Sequence, residues 1–114
     1  MPFTPRIVLV TAPSLEEARS LAQRLLENHL AACVNLVPGV ESHYRWLGKM
    51  EKSAEVMLVI KSSAEQFETL AGFVRKHHSY ECPEIIAVVP HEISPAYRSW
   101  WDEAMMQPDG GKED

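Results

Sequence analysis

The fold of this chain is decided by residues 32–61, ACVNLVPGVESHYRWLGKMEKSAEVMLVIK. Over residues 40–46 a mostly apolar set, Val40, Ser42, Tyr44 and Trp46, alternates with polar or charged residues, which predicts a strand with one apolar face. After a tight turn at Leu47-Gly48-Lys49, a second strand ends in the apolar run 56–60, typical of the middle of a sheet. The stretch therefore predicts a long β-hairpin with a buried base and an exposed tip.

The predicted hairpin is longer than the domain that carries it. An arm over residues 32–46 spans roughly 50 Å at about 3.3 Å per residue, whereas a compact domain of 114 residues measures about 35 Å across. The tip must therefore overhang, and it carries Tyr44, Trp46, Leu47 and Met50. Because exposed aromatic residues on an isolated ribbon are unfavourable in water, we interpret the hairpin as an oligomerisation arm. The alternative is a ribbon that curls over its own domain.

Composition limits the classes of protein to which the chain can belong. Hydrophobic residues make up 46% and charged residues 24% of the chain, as in soluble globular proteins. The net charge is −5 without a lysine or arginine cluster, so we expect no nucleic-acid partner. No membrane span or signal peptide is evident, so we expect no membrane partner. Two cysteines, Cys33 and Cys82, outside any CxxC pair favour a reducing compartment, and we expect a cytoplasmic protein.

The helices are predicted from capping signals and apolar periodicity. Ser14 and Glu17 form a capping-box pattern before a helix of about four turns that reaches Leu30. Ser62 and Glu65 repeat the pattern before a second helix, which ends at residues 76–78. Pro95 opens a short third helix.

Two further apolar runs, at residues 6–11 and 84–89, complete the list of predicted strands. The order strand, helix, strand, strand, helix, strand predicts an α+β, ferredoxin-like (βαββαβ) domain. Its antiparallel sheet has both long helices on one face, a long hairpin and a short C-terminal helix. We expect one domain over residues 1–106 and a disordered tail over residues 107–114.

The pair His77-His78 is the strongest candidate for a metal site, because imidazole is a common ligand of transition metals. Adjacent helical residues point about 100° apart, so both rings can share an ion only if the helix unwinds there. Further ligands would come from Glu84, Cys82, His91, water or another subunit. The alternative is that the histidines close the negative end of the helix.

Nothing in the sequence predicts catalysis. Cys82 is flanked by Glu81 and Glu84, whose negative charge disfavours a thiolate nucleophile. The sequence contains no glycine-rich phosphate loop, hydrolase elbow or HExxH motif. We therefore expect no catalytic residues and no enzymatic activity.

Several motifs occur together along the chain. They are TAP at 11–13, LAACVN at 30–35, PGV at 38–40, YRWLGK at 44–49, HHSYECPEII at 77–86 and YRSW at 97–100. In this order the sequence resembles the CutA family of divalent-cation-tolerance proteins. The resemblance implies a homotrimer of ferredoxin-like subunits that binds copper or other divalent metal ions.

The resemblance also implies that His77 and His78 hold the ion. Some members have a metal-binding cysteine immediately before the TAP motif, where this chain has Val10. Imidazole and oxygen ligands without that thiolate favour Cu(II) over Cu(I), so we expect a divalent ion, Cu(II) before Zn(II).

The rival hypothesis is a small-molecule sensor without a physiological metal, because the trimer implied by the family is similar to that of the PII signalling proteins. Such a trimer has a cleft between neighbouring subunits. Tyr44, Trp46, Lys61 and Glu84 offer aromatic, cationic and anionic groups for a ligand in that cleft.

Overall fold

The computed structural model describes residues 2–106, and the predicted tail at 107–114 lies outside the described residues. The neighbouring strands of its sheet are antiparallel in the order β2-β3-β1-β4, which confirms the ferredoxin-like fold. The elements in chain order are β1 (Pro5–Ala12), α1 (Leu15–Glu27), β2 (Cys33–Trp46), β3 (Lys49–Ser63), α2 (Phe67–His77), β4 (Ile85–Val88) and α3 (Pro95–Met106).

The hydrophobic core lies between one face of the sheet and the two long helices. Val8 and Val10 of β1 point into it, and Leu58 and Ile60 of β3 pair beside them with no exposed surface. Because side chains alternate along a strand, these residues share one face. Their helical counterparts are Ala18, Leu21 and Leu25 of α1 and Leu70 and Val74 of α2. Both helices therefore cover the same face, as predicted.

The hairpin extends beyond the domain, as its length requires. The molecule measures 51 × 30 × 23 Å and its radius of gyration is 15.1 Å, against about 13 Å for a compact chain of this length. Trp46 pairs with Lys49 across a two-residue turn. Leu47 and Gly48 in this turn have φ values of 52° and 78°, as a type I′ turn requires.

The first helix ends earlier than its apolar periodicity predicts. α1 stops at Glu27 and His29 adopts a left-handed φ of 58°. The backbone N–H of Leu30 then donates to the carbonyl oxygen of Leu25 at 2.9 Å. The backbone N–H of His29 donates to the carbonyl oxygen of Leu26 at 3.1 Å. This is a Schellman motif, which brings the residue after the helix back onto the core. Leu30 is therefore buried without being helical.

The predicted capping box of the second helix is wrong. Ser62 belongs to β3, which continues to pair with β1 as far as Ser63. The Ser62 hydroxyl donates to the carbonyl oxygen of Leu30 at 2.7 Å, and the Glu65 carboxylate binds Thr4. α2 begins at Phe67 after Gln66, which makes no side-chain cap. The capping pattern does not start a helix here, because pairing of Ser62 and Ser63 with β1 satisfies more backbone hydrogen-bonding groups than a helix cap would.

The predicted C-terminal helix is present as α3. Its Trp101 is 2% exposed, and the indole N–H donates to the carbonyl oxygen of Ser62 at 3.0 Å. None of the helices within residues 2–106 has the length and apolar character needed to cross a bilayer.

Candidate functional site

His78 is the C-cap of α2, and its buried ring faces the end of β1. Nε2 lies 2.8 Å from the carbonyl oxygen of Thr11, which only accepts hydrogen bonds, so the ring proton is on Nε2. Nδ1 accepts a hydrogen bond of 3.0 Å from the backbone N–H of Tyr80. Both ring nitrogens are therefore engaged.

His77, the last residue of α2, points instead towards α1. Its Nδ1 lies 2.9 Å from Nη1 of Arg24. A guanidinium only donates, so Nδ1 accepts and a neutral His77 ring carries its proton on Nε2. The ring also packs against Phe73, with centroids 4.4 Å apart. No residue between 2 and 106 bonds to Nε2 of His77.

The sequence had left open whether these histidines close the helix end or hold a metal. Their rings bond to Arg24 and Thr11, not to the last carbonyl groups of α2. A metal binds the lone pair of a ring nitrogen. In His77 the Nδ1 lone pair already accepts from Arg24, and in His78 it already accepts from the backbone N–H of Tyr80. In His78, however, the bond from Nε2–H to a backbone carbonyl is the orientation common among metal-bound histidines.

The surroundings of His78 offer one further oxygen ligand. Oε2 of Glu17 lies 3.5 Å from Nδ1 of His78 and accepts a hydrogen bond of 2.9 Å from the backbone N–H of Ser79. Ser14 accepts from the Glu17 amide at 3.1 Å, so the capping box is formed in this direction. Within residues 2–106 of a single chain, no three His, Cys, Asp or Glu side chains are grouped as a metal site. The shared site at His77 and His78 stays a prediction.

A cleft of about 600 Å³ opens between the hairpin and the loop that follows α2. Three predicted cleft residues, Tyr44, Trp46 and Glu84, line it together within one chain. Tyr44 and Trp46 lie on the same face of β2 as Ser42, in agreement with the predicted alternation. The other lining residues are Thr11, His43, Glu55, Tyr80, Glu81 and Cys82.

Lys61, the fourth predicted cleft residue, lies elsewhere in the chain. It pairs with Cys33 of β2 near the base of the hairpin, and its ammonium donates to Oδ1 of Asn35. It is not part of the cleft lining formed by residues 2–106. That Lys61 serves a cleft between subunits stays a prediction.

The buried carboxylate of Glu55 organises the floor of the cleft. It accepts hydrogen bonds from the hydroxyl groups of Ser42 at 2.6 Å and Tyr80 at 2.8 Å. Burial, followed by the hydrogen bond to Glu55 and the charge on that carboxylate, raises the pKa of Tyr80 to about 12. Tyr80 therefore stays protonated and holds the loop after α2 against the hairpin.

Glu84 is one of two further glutamates, with Glu81, in the cleft lining. Burial, and then the charge on Glu55, raises the pKa of Glu84 above its usual value. Within the described chain, Glu84 has no hydrogen-bond or ion-pair partner. The cleft therefore contains an acidic group whose charge is not neutralised by residues 2–106 of this chain.

Comparison with known families identifies the chain. A family model described as CutA1 divalent ion tolerance protein matches residues 6–104. The chain belongs to this family. A CutA relative from Thermus thermophilus is 42% identical over 97 residues, which cover 85% of this chain and 94% of the relative.

Solved CutA structures share the fold. A protein from Archaeoglobus fulgidus, described as a periplasmic divalent cation tolerance protein, is 39% identical with a TM-score of 0.85 and covers 89% of this chain and 98% of its own. CutA1 from Oryza sativa is 38% identical with a TM-score of 0.84 and covers 90% of this chain and 94% of its own.

Val10 occupies the position of the cysteine noted in some CutA members. Its side chain is completely buried among the core residues and has no donor atom for a metal. Cys82 is exposed at the cleft, and Cys33 is partly exposed. Val10 itself therefore cannot act as a soft metal ligand.

Sequence reasoning did not find Glu55 and Tyr80 as site residues. The sequence did contain one signal: Glu55 directly precedes the apolar run 56–60. Because that part of the strand is buried, the Glu55 side chain is buried with it. A buried carboxylate needs hydrogen-bond donors, and here they come from Ser42 and Tyr80. The partners are 13 and 25 residues away, a separation that local patterns do not predict.

Proposed function

We propose that this CutA family member contributes to divalent-cation tolerance by binding the ions directly, with moderate affinity, at the end of α2. The proposed ligands are His77 and His78, and the proposed ions are Cu(II) and then Zn(II). The observation that carries the proposal is the orientation of His78. Its Nε2–H is anchored on Thr11, and its Nδ1 lone pair lies 3.5 Å from a Glu17 carboxylate oxygen.

Binding at this site requires two hydrogen bonds to break. The ion replaces the Tyr80 amide at Nδ1 of His78 and the Arg24 guanidinium at Nδ1 of His77. Each exchange costs roughly 1 kcal/mol, which is consistent with moderate affinity. Water, a carboxylate or a neighbouring subunit completes the coordination shell.

The same proposal includes a homotrimer. Leu47, Met50 and Trp46 at the hairpin tip are 87%, 82% and 51% exposed. On the sheet face opposite the helices, Ile86 is 50% exposed, and Trp100 of α3 is 43% exposed. Large apolar surfaces of this kind are typical of subunit interfaces. A cyclic assembly buries them and also covers the free edges of β2 and β4.

We also propose a cytoplasmic, non-enzymatic protein. The unpaired thiols of Cys33 and Cys82 are compatible with a reducing compartment. Cys82 shares its cleft with Glu55, Glu81 and Glu84, so its surroundings are acidic. Reactive cysteines lie beside positive charge. Alkylation of Cys82 no faster than that of a free cysteine is the expected result.

The cellular role is tested by complementation. A bacterial strain without its own CutA protein is grown in rising Cu(II) or Zn(II) with the wild-type chain or a His77→Ala/His78→Ala variant. The wild type is expected to restore growth and the double variant to fail. His43→Ala, which removes an exposed histidine of β2 that is paired with Glu41, is the matched control and restores growth. Equal growth with the double variant would contradict the proposal.

The second candidate function is a small-molecule sensor, which the 600 Å³ cleft favours. Its volume is within the range of about 300–1,000 Å³ found for ligand pockets. A thermal-shift screen of organic ligands and metals separates the candidates. Stabilisation by an organic ligand and by no metal supports the sensor.

A further inference from the structure

We propose that Tyr80 is a positioning residue that couples metal binding at His78 to the β2-β3 hairpin. The proposal rests on the proposed metal function and concerns the regulation of that site. A continuous relay of contacts runs from the ring of His78 through Tyr80 to the carboxylate of Glu55. Release of the His78 lone pair is therefore expected to release the hairpin from the loop after α2.

The backbone of Tyr80 forms the first part of the relay. Its N–H donates to Nδ1 of His78 at 3.0 Å, while Nε2–H of the same ring donates to the carbonyl oxygen of Thr11 at 2.8 Å. Nδ1 is therefore the ring nitrogen that keeps a lone pair for a metal, and that lone pair is available only after the Tyr80 amide leaves. The peptide that carries this amide must move relative to the ring.

The side chain of Tyr80 forms the second part of the relay. Its ring packs against the ring of His78, with centroids 4.8 Å apart, and its hydroxyl donates to Oε2 of Glu55 at 2.8 Å. A tyrosine side chain has only two torsion angles with which to compensate for a movement of its backbone. Hydrogen bonds between oxygen atoms form at about 2.5–3.0 Å. Displacement of the Tyr80 backbone therefore weakens or breaks the bond to Glu55.

Glu55 connects the relay to the hairpin. Its other carboxylate oxygen accepts from the hydroxyl of Ser42 on β2 at 2.6 Å. β1 pairs with β3 only as far as Val56, so residues 40–55 form a two-stranded ribbon, the outer hairpin. A ribbon of this kind has little stability of its own. The hydrogen bond from the loop after α2 is therefore placed where it restrains the outer hairpin.

The relay depends neither on the exposure of the cleft nor on its charge. All of its donors and acceptors belong to one chain and are already paired. Glu55 and His78 are 9% and 8% exposed, so a neighbouring subunit that covers the cleft adds contacts outside the relay. Because the hairpin is the proposed assembly arm, the relay also connects metal binding to the contacts between subunits.

The coupling must act in both directions, because linkage between two events is reciprocal. If release of the His78 lone pair weakens the bond between Tyr80 and Glu55, removal of that bond must favour metal binding. Tyr80→Phe deletes only the hydroxyl and is expected to bind Zn(II) about tenfold more tightly than wild type, because a hydrogen bond to a carboxylate no longer opposes the movement. A purely structural role for Tyr80 predicts equal or weaker binding.

The test combines calorimetric titration of Zn(II) with hydrogen exchange followed by mass spectrometry at equal subunit concentration. Addition of Zn(II) to wild type is expected to speed exchange in the outer hairpin by about threefold or more. In Tyr80→Phe, exchange there is expected to be fast without the ion and unchanged with it. Tyr44→Phe removes a hydroxyl that bonds to Ser53 within the hairpin. This matched control should keep the affinity and the response of wild type.

The outcomes separate the coupling from the metal function. Tighter Zn(II) binding by Tyr80→Phe, with a zinc-dependent change of exchange in wild type, supports the coupling. Equal or weaker binding by Tyr80→Phe, or binding to wild type without a change of exchange in the outer hairpin, would overturn the coupling and keep the metal function. Absence of Zn(II) binding by wild type would overturn both. The exchange measurement on wild type decides the coupling even if Tyr80→Phe does not fold.

Discussion

The buried ring of His78 donates a hydrogen bond of 2.8 Å from Nε2 to the carbonyl oxygen of Thr11. The bond joins the C-terminal end of α2 to the end of β1 and determines which nitrogen of the ring keeps its lone pair. His77, the preceding residue, bonds to Arg24 on α1. The two neighbouring histidines therefore have different structural roles, and their variants are expected to differ.

His78→Ala is expected to lower the free energy of unfolding by about 2 kcal/mol, because the Thr11 carbonyl and the Tyr80 amide both lose a buried partner. His77→Ala is expected to lower it by less than about 1 kcal/mol, since its bond to Arg24 is exposed. Urea denaturation of both variants measures the difference. Equal losses would contradict the structural role assigned to His78.

Arg24→Gln is expected to strengthen Zn(II) binding by roughly three- to tenfold, because the ion no longer has to displace the guanidinium from Nδ1 of His77. Arg19→Gln removes the same charge from an exposed position on α1 and is the control. Calorimetry compares the two variants. An equal gain in both would show an effect of net charge alone.

Glu84→Gln is expected to change the pH dependence of stability. Burial and the charge on Glu55 raise the pKa of Glu84 in the folded protein above its ordinary value, so ionisation of Glu84 destabilises the fold as the pH rises through that range. Glutamine does not ionise, and the variant should gain stability relative to wild type between pH 4 and pH 7. Denaturant unfolding at the two pH values measures this gain. Glu92→Gln, the exposed control, should show none.

Leu47→Asn is expected to weaken assembly while favouring the turn itself. Leu47 has a left-handed φ of 52° and is 87% exposed, whereas asparagine tolerates this conformation and Asn-Gly is preferred in type I′ turns. In the proposed trimer, Leu47 contacts another chain. Light scattering should give a trimer for wild type at micromolar concentration and more dissociation for the variant. Leu26→Gln, on α1, is the control, and a monomeric wild type would contradict the proposed trimer.

The fold followed from the sequence because its main signals are local and agree with one another. The hairpin alternation, the apolar run 56–60 and the periodicity of two helices each specify which face is buried. The Ser62 capping box failed because β3 continues its pairing with β1 through this position. The sequence predicted Tyr44, Trp46, Lys61 and Glu84 around a cleft between subunits, and all of these except Lys61 line the cleft of the single chain. Glu55 and Tyr80 were missed because their hydrogen bond joins distant parts of the chain.

The most direct test of the proposed metal function is calorimetric titration of Cu(II) and Zn(II) into wild type and a His77→Ala/His78→Ala variant. Circular dichroism confirms that the variant is folded. Wild type is expected to bind both ions with moderate affinity, Cu(II) more tightly, and the affinity should weaken as the pH falls below the ordinary histidine pKa of about 6.5. The double variant should lose this binding. Equal affinity in both proteins would contradict the account and leave His77 and His78 with structural roles only.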